Sequence, residues 1–171
     1  MAGVAYSGFP ETITGPSNNS NSYGVSRANQ YGRLRVVHRS INNWFGTDAS
    51  AQPCTTPGST LINGQPSTCA FGVPANNAFG SSRNGAVRGP GYRNIDASAF
   101  KEFHTIGEQS LGFRFDAFNV FNMVSYGNPD TTVTDANFGN ISNQGTINPG
   151  GGPAAVRSVE RHLQVSARYT F

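Results

Sequence analysis

Arg157-Ser158-Val159-Glu160-Arg161-His162-Leu163-Gln164-Val165-Ser166-Ala167-Arg168-Tyr169-Thr170-Phe171 is the stretch that decides the fold. Its apolar residues occupy odd positions, namely Val159, Leu163, Val165, Ala167, Tyr169 and Phe171, and its even positions are polar. A period of two predicts one long strand, residues 157–171, with an apolar face and a polar face. A membrane-barrel strand needs about ten residues to cross the hydrocarbon, with aromatic residues at the interface. The stretch therefore predicts a transmembrane barrel strand.

The composition supports β-structure. Of the 171 residues, 36% are apolar, 12% are charged and 21 are glycine, a balance rich in turns and poor in helix formers. The net charge of +3 is spread along the chain, which argues against a nucleic-acid partner. No apolar stretch approaches the ~20 residues of a membrane helix, and the first ten residues do not resemble a signal peptide. We therefore expect a barrel strand in this chain to belong to a longer, exported protein.

Residues 93–122 predict a β-hairpin with a tight turn at Thr105–Glu108. One face of the hairpin is apolar, with Ile95, Ala97, Ala99, Phe103, Leu111, Phe113, Phe115 and Ala117. Lys101 interrupts this face. A lysine would cost ~2–4 kcal/mol at the bilayer midplane and almost nothing at the interface. We therefore predict that Lys101 lies near a membrane boundary, with its ammonium group extending outward.

The remaining residues predict connections of very different lengths. Residues 1–9 indicate the end of a strand, and residues 10–92 and 123–156 indicate long loops. Within the first loop, residues 31–39 predict a short basic strand and residues 40–45 a turn of helix. Loops this long are unusual in a compact soluble domain but normal on the extracellular side of a barrel. The sequence thus predicts an all-β fold, the last strands of a transmembrane antiparallel β-barrel, as a partial barrel with long extracellular loops.

Cys54 and Cys69 are the two cysteines of the chain. No CxxC motif or histidine pair accompanies them, so a zinc site is disfavoured. We predict a disulfide that closes a surface loop, worth about 3 kcal/mol in the chain-entropy model, and an oxidising compartment. Two free thiols in a disordered loop are the alternative.

No catalytic, cofactor-binding or metal site is predicted. His38, His104 and His162 lack a partner at ligand spacing, and no GxSxG, phosphate-binding or dinucleotide-binding motif occurs. We therefore predict that the chain is not an enzyme. The charged residues of the predicted strands fall on polar faces, where we expect them to face the barrel lumen. We expect the basic residues Arg33, Arg35 and Arg39 to lie on a loop surface near anionic lipopolysaccharide or in solvent.

Several segments resemble those of Oar-like TonB-dependent outer-membrane transporters. Residues 88–101, RGPGYRNIDASAFK, resemble their RGPGYxNxDxSxFK segment, and residues 115–122, FDAFNVFN, resemble FxAFNxFN. Residues 137–141, NFGNI, resemble an FGxI loop element, and the ending Tyr169-Thr170-Phe171 is similar to an LTF-type terminus. Residues 7–10, SGFP, resemble the SGxPF end of an earlier strand. The segments cover nearly the whole chain in the family's order.

The resemblance implies a barrel of about 22 strands filled by an N-terminal plug. It implies uptake of an unidentified nutrient across the outer membrane of a Gram-negative-type cell, with outer-membrane lipid around the barrel and TonB contacted only through the missing N-terminal part. Because nothing here matches the plug, we expect a fragment that does not transport alone. The C-terminal pattern resembles the signal read by the barrel-assembly machinery, carried by Leu163, Val165, Ala167, Tyr169 and Phe171. A small secreted β-rich adhesin or binding module is the alternative.

Overall fold

The fold comes from a computed structural model, which describes residues 2–16, 26–105, 107–142 and 160–171. Within these ranges the chain forms twelve β-strands, one 3-10 helix and no α-helix. None of the described residues belongs to a helix long and apolar enough to cross a membrane. The predicted all-β fold is confirmed. The parts of the predicted loops at 17–25 and 143–156, and the first residues of the predicted C-terminal strand, 157–159, lie outside the described ranges.

The strands differ strongly in length. In chain order they are β1 (Ala2–Tyr6), β2 (Pro10–Glu11), β3 (Thr14–Gly15), β4 (Ser26–Arg27), β5 (Asn29–Gln30), β6 (Leu61–Ile62), β7 (Gln65–Pro66), β8 (Phe71–Gly72), β9 (Val87–Arg88), β10 (Tyr92–His104), β11 (Ser110–Phe118) and β12 (His162–Thr170). The 3-10 helix, Ala49–Ala51, lies between β5 and β6. The chain divides into two compact units. We call the described residues of 1–7, 91–126 and 144–171 the wall unit, and those of 8–90 and 127–143 the loop unit.

The wall unit is one four-stranded antiparallel sheet in the order β1-β10-β11-β12. The register sets Ala99 opposite Phe115 and Phe115 opposite Val165. The predicted hairpin is present as β10 and β11, and the C-terminal strand β12 pairs with β11. As described, the sheet has β1 and β12 at its two edges and is not closed, so it is a partial barrel.

The long and short connections leave opposite ends of this sheet. Tyr6 pairs with Tyr92, and Phe118 pairs with His162, so both long connections leave the same end. At the other end, the β10–β11 turn is closed by the Thr105 N–H, which donates to the Gln109 carbonyl oxygen at 2.9 Å. Gly107 in this turn has a φ of 71°, a left-handed conformation that glycine adopts without steric cost.

The apolar face of the wall unit is not covered by the described chain. Phe103, Phe113, Phe115, Leu163 and Val165 are exposed, although all five are large and apolar. By contrast, the hydrophobic core of the protein consists of residues of the loop unit. A sheet with one uncovered apolar face and one polar face is the pattern of a membrane-barrel wall.

The loop unit is a packed structure with its own core. Its most deeply buried side chains include Ile13, Phe45 and Val133, and the Phe45 and Phe138 rings lie 4.9 Å apart between centroids. It contains four short antiparallel pairs. The pairs β2–β9 and β5–β8 join distant parts of the chain, β3–β4 joins nearer ones, and β6–β7 is a tight hairpin. The long connections, predicted as loops, therefore bury apolar surface of their own.

Two local predictions in the loop unit are wrong. Residues 31–39 contain no strand, because their backbone bonds isolated partners instead of a neighbouring strand. The Arg35 N–H donates to Ser50 Oγ at 2.9 Å, and the Val37 carbonyl accepts from the Thr47 N–H at 2.8 Å. Residues 40–45 form turns and an isolated bridge between Ser40 and Asn43 instead of a turn of helix.

Candidate functional site

The polar face of the wall unit carries an ion pair near its middle. Arg114 Nε donates to both carboxylate oxygens of Asp116, at 2.8 and 3.0 Å. The two residues are two positions apart on β11, so their side chains share a face. Asp116 is buried, and the guanidinium group compensates a carboxylate that would be costly to bury alone. In a barrel strand this face borders the lumen.

A hydrogen-bonded group joins β10 to the residue after β11. We call Asn94, Asp96 and Asn119 the strand-end cluster. Asp96 Oδ1 accepts from Asn94 Nδ2 at 2.9 Å and from the Asn119 N–H at 2.9 Å. Asn119 has a φ of 49°, which asparagine tolerates better than most residues. Its side chain also bonds the Met123 N–H at 2.8 Å and the Met123 carbonyl at 3.0 Å, so it stabilises the turn that ends β11.

A cavity of about 730 Å³ opens on the strand-end cluster. Its lining comes from β10, from β12 and from the end of β11, and includes Asn94, Asp96, Phe118, Asn119, His162 and Gln164. Asn94 is only 8% exposed, and its Oδ1 has no hydrogen-bond partner among the described residues. Because buried polar atoms are normally paired, this oxygen marks the cavity as a candidate site.

Sequence analysis missed this site. Asp96 was expected on a polar face together with the other charged residues of the predicted strands, but nothing connected it with Asn94 or Asn119. A signal was available, since Asn94 and Asp96 lie in the RGPGYRNIDASAFK segment and Asn119 in FDAFNVFN. Only the register of β10 against β11 brings the two segments together.

The residues of the predicted barrel-assembly signal lie on or just after β12. Leu163, Val165 and Tyr169 are all exposed, and Phe171, which follows the strand, is 92% exposed. The Tyr169 and Phe171 rings are 6.3 Å apart between centroids. Tyr169 Oη donates to Gln109 Oε1 at 2.6 Å. This bond ties the aromatic end of β12 to the residue before β11.

Cys54 and Cys69 form a disulfide in the loop unit, with a Cα–Cα distance of 5.7 Å. The loop that the bridge closes, residues 55–68, is exposed or half-buried throughout. Both cysteines are almost completely buried, at 0% and 2% exposed. Cys54 lies against β8, where its N–H donates to the Phe71 carbonyl at 2.9 Å. The disulfide is therefore part of the interior of the loop unit.

The three histidines lie on different elements, far apart in the chain. His38 is in the loop unit, His104 ends β10, and His162 begins β12, where its Nε2 lies 4.0 Å from the Glu160 carboxylate. The described residues contain no group of three His, Cys, Asp or Glu side chains arranged to hold a metal ion. Among the basic loop residues, Arg39 lies over the Trp44 ring, 4.3 Å from its centroid, and packs within the unit.

Two carboxyl groups of the loop unit have shifted pKa values. Partial burial raises the pKa of Glu11, whose Oε1 accepts a hydrogen bond from the Asn128 amide. Hydrogen bonds from Ser50 lower the pKa of Asp48. Asp48 is the N-cap of the 3-10 helix and accepts from the Ser50 N–H at 3.0 Å. Neither carboxyl group lines the cavity, so these shifts concern the fold of the loop unit.

A comparison with protein families identifies the architecture. The model of an outer membrane beta barrel domain matches residues 2–164, from β1 into β12. The chain belongs to this family. No curated protein and no solved structure matches this chain. Membership explains an open antiparallel sheet with one apolar and one polar face, and it places the protein in the cell outer membrane. The alternative of a small secreted module does not fit this membership.

Proposed function

We propose that this outer membrane beta barrel domain is the C-terminal part of the barrel of an Oar-like TonB-dependent transporter, which takes up a nutrient. The observation that carries the proposal is the ordered set of Oar-like segments from SGFP to the aromatic terminus. Two of these segments supply the three side chains of the strand-end cluster. A hydrogen-bonded group built from both segments gives a physical reason for their joint occurrence.

The polar face of the wall unit also supports this proposal. Small barrels fill their interior with packed side chains, whereas large transporters enclose a polar, plugged lumen. The charged pair Arg114–Asp116 and the strand-end cluster suit the second arrangement. The resemblance assigns the plug and the TonB-binding segment to a part of the protein outside this sequence. We propose no catalytic role.

The test is the dependence of the complete protein on TonB. The complete protein, produced in a Gram-negative bacterium, is purified in detergent and titrated with the periplasmic domain of TonB. We expect saturable binding, and we expect growth on the transported nutrient to require both this gene and an intact TonB. A general porin, prepared in the same way, is the control that should not bind. Absence of TonB binding, or uptake that continues without TonB, would refute the proposal.

We also propose that the apolar face of the wall contacts outer-membrane lipid and that Leu163, Val165, Ala167, Tyr169 and Phe171 form the signal for the barrel-assembly machinery. Strand addition with pockets for alternate side chains is a physical mode of such recognition. Phe171 is 92% exposed, so its replacement removes little packing within the described chain.

The substitution Phe171→Ser tests whether Phe171 is recognised during assembly or only contacts lipid. We expect severalfold less folded protein in the outer membrane, with unchanged refolding of the purified protein in detergent. Arg168→Ser, on the polar face of the same strand, is the matched control and should assemble normally. Equal assembly of Phe171→Ser and the unsubstituted protein would contradict the signal, and so would a matching loss of refolding in detergent.

A further inference from the structure

The cavity at the strand-end cluster lacks one hydrogen-bond donor. Asn94 Nδ2 donates to Asp96. This bond fixes the orientation of the amide, so that Oδ1 is the atom without a hydrogen bond. This oxygen is buried and has no partner among the described residues, although Asn94 lines a cavity of about 730 Å³. That volume lies within the usual range of small-molecule sites, roughly 300–1,000 Å³. A ligand group that enters the cavity and donates a hydrogen bond to Asn94 Oδ1 would supply the missing partner.

The lining defines the chemistry of that ligand. The described residues around the cavity include the carboxylate of Asp96 and no lysine or arginine, which disfavours an anion. Gln164 is exposed and its amide both donates and accepts, as a hydroxyl group does. Phe118 is 44% exposed and offers an apolar ring surface beside these polar groups. A cation donates only, so it would leave the donor capacity of the Gln164 amide unused.

We propose that the cavity binds a neutral saccharide. One sugar hydroxyl donates to Asn94 Oδ1, a hydroxyl further along the saccharide accepts from the Gln164 amide, and the apolar face of a sugar ring packs on Phe118. Asn94 and Gln164 come from β10 and β12, which lie on either side of β11, two strand spacings or roughly 10 Å apart. This separation suits two hydroxyl groups at different places along an oligosaccharide. The inference rests on the proposed function only in treating the saccharide as a transported nutrient; binding itself requires only the polar face and its cavity.

The test is calorimetric titration of the complete protein in detergent. The probes are maltohexaose, cellohexaose and chitohexaose as neutral saccharides, spermidine as a cation, and inorganic phosphate as an anion. The variants are Asn94→Ala and Gln164→Ala. Because Gln164 is exposed, its replacement should leave folding intact even if Asn94→Ala impairs it. Glu102→Ala is the matched control, since Glu102 lies on the same strand and face as Asn94 but outside the lining.

We expect at least one saccharide to bind, with its Kd raised about tenfold or more by Asn94→Ala and severalfold by Gln164→Ala. Glu102→Ala should bind as the unsubstituted protein does. No saccharide binding up to ~10 mM, preferred binding of spermidine or phosphate, or an equal loss in Glu102→Ala would each overturn the inference.

The outcome is separable from that of the proposed transport. Saccharide binding that Gln164→Ala weakens, in a protein that does not bind TonB, would retain this inference and refute the transporter. TonB binding with no saccharide binding would retain the transporter and refute this inference.

Discussion

Replacing Val165 by arginine tests which face of the wall unit contacts lipid. β12 spans nine residues, His162–Thr170, so Val165 lies one residue, roughly 3 Å, from its centre. Val165 is 71% exposed, so the substitution removes few contacts within the described chain. Its cost should therefore come mainly from placing a charge near the bilayer midplane. An arginine there costs ~2–4 kcal/mol on the lipid face of a barrel. A cost of ~3 kcal/mol lowers the ratio of folded to unfolded protein by a factor on the order of 100.

Gln164→Arg is the matched control because Gln164 precedes Val165 and points to the opposite face. Its register partner is Asp116, and an opposite charge across strands is mildly favourable. We expect its effect on the free energy of unfolding to be below about 1 kcal/mol. Tyr169→Arg should also cost little, about 0–1 kcal/mol, since it lies at the end of the strand near the interface.

Urea unfolding of the barrel in phospholipid vesicles measures these differences, with the folded fraction read from gel mobility. The expected order of destabilisation is Val165→Arg, then Tyr169→Arg, then Gln164→Arg. If Gln164→Arg cost as much as Val165→Arg, or if neither changed stability, the assignment of the two faces would be wrong.

Four further predictions concern single features of the two units. Lys101→Leu should stabilise the barrel in vesicles by up to about 1 kcal/mol, because Lys101 lies near the His104 end of β10 on the face that we propose contacts lipid; a loss of stability would contradict this. Reduction of the Cys54–Cys69 bridge, with a sequence separation of 15, should destabilise the loop unit by about 3 kcal/mol in urea unfolding; the double serine variant should not respond to reductant. Phe45→Ala should cost about 3–5 kcal/mol, since Phe45 is 2% exposed, and should speed proteolysis of the loop unit; unchanged cleavage would argue against its core role. The pKa of Glu11 is raised above its ordinary value of 4.5 by burial, so its contribution to stability is present below pH 4.5 and is lost as pH rises through the raised pKa. Glu11→Gln should therefore melt higher than the unsubstituted protein at neutral pH and equally at lower pH, and a gap that persists in acid would refute the shift.

The strands of the wall unit could be predicted from the sequence because they are marked by a local pattern, the alternation of apolar and polar residues. The alternation from Leu163 to Phe171 and across residues 93–117 predicted the strands, their faces and their pairing. A strand that has lipid or lumen on each face needs no tertiary partner to impose that alternation. In the sequence the alternation ends after Phe118, and β11 ends at the same residue.

The strands and packing of the loop unit could not be predicted in the same way. The strands from β2 to β9 are each two residues long, too short to show a period. Two of their pairs join residues far apart in the chain, such as Pro10 with Arg88 and Asn29 with Gly72. Residues 31–39 are apolar in part, yet their backbone bonds single partners such as Ser50 instead of a neighbouring strand. Local propensity cannot distinguish such a segment from a strand, because the difference lies in its distant partners.

By itself, then, the sequence determined an antiparallel barrel wall with one apolar and one polar face, since period-two alternation follows from backbone geometry alone. The tertiary structure decided that the long connections bury a core of their own and a Cys54–Cys69 disulfide. It also decided that Asn94, Asp96 and Asn119 meet at the end of the wall beside a cavity. Both depend on contacts between residues far apart in the chain, whose positions only the completed register of the strands specifies.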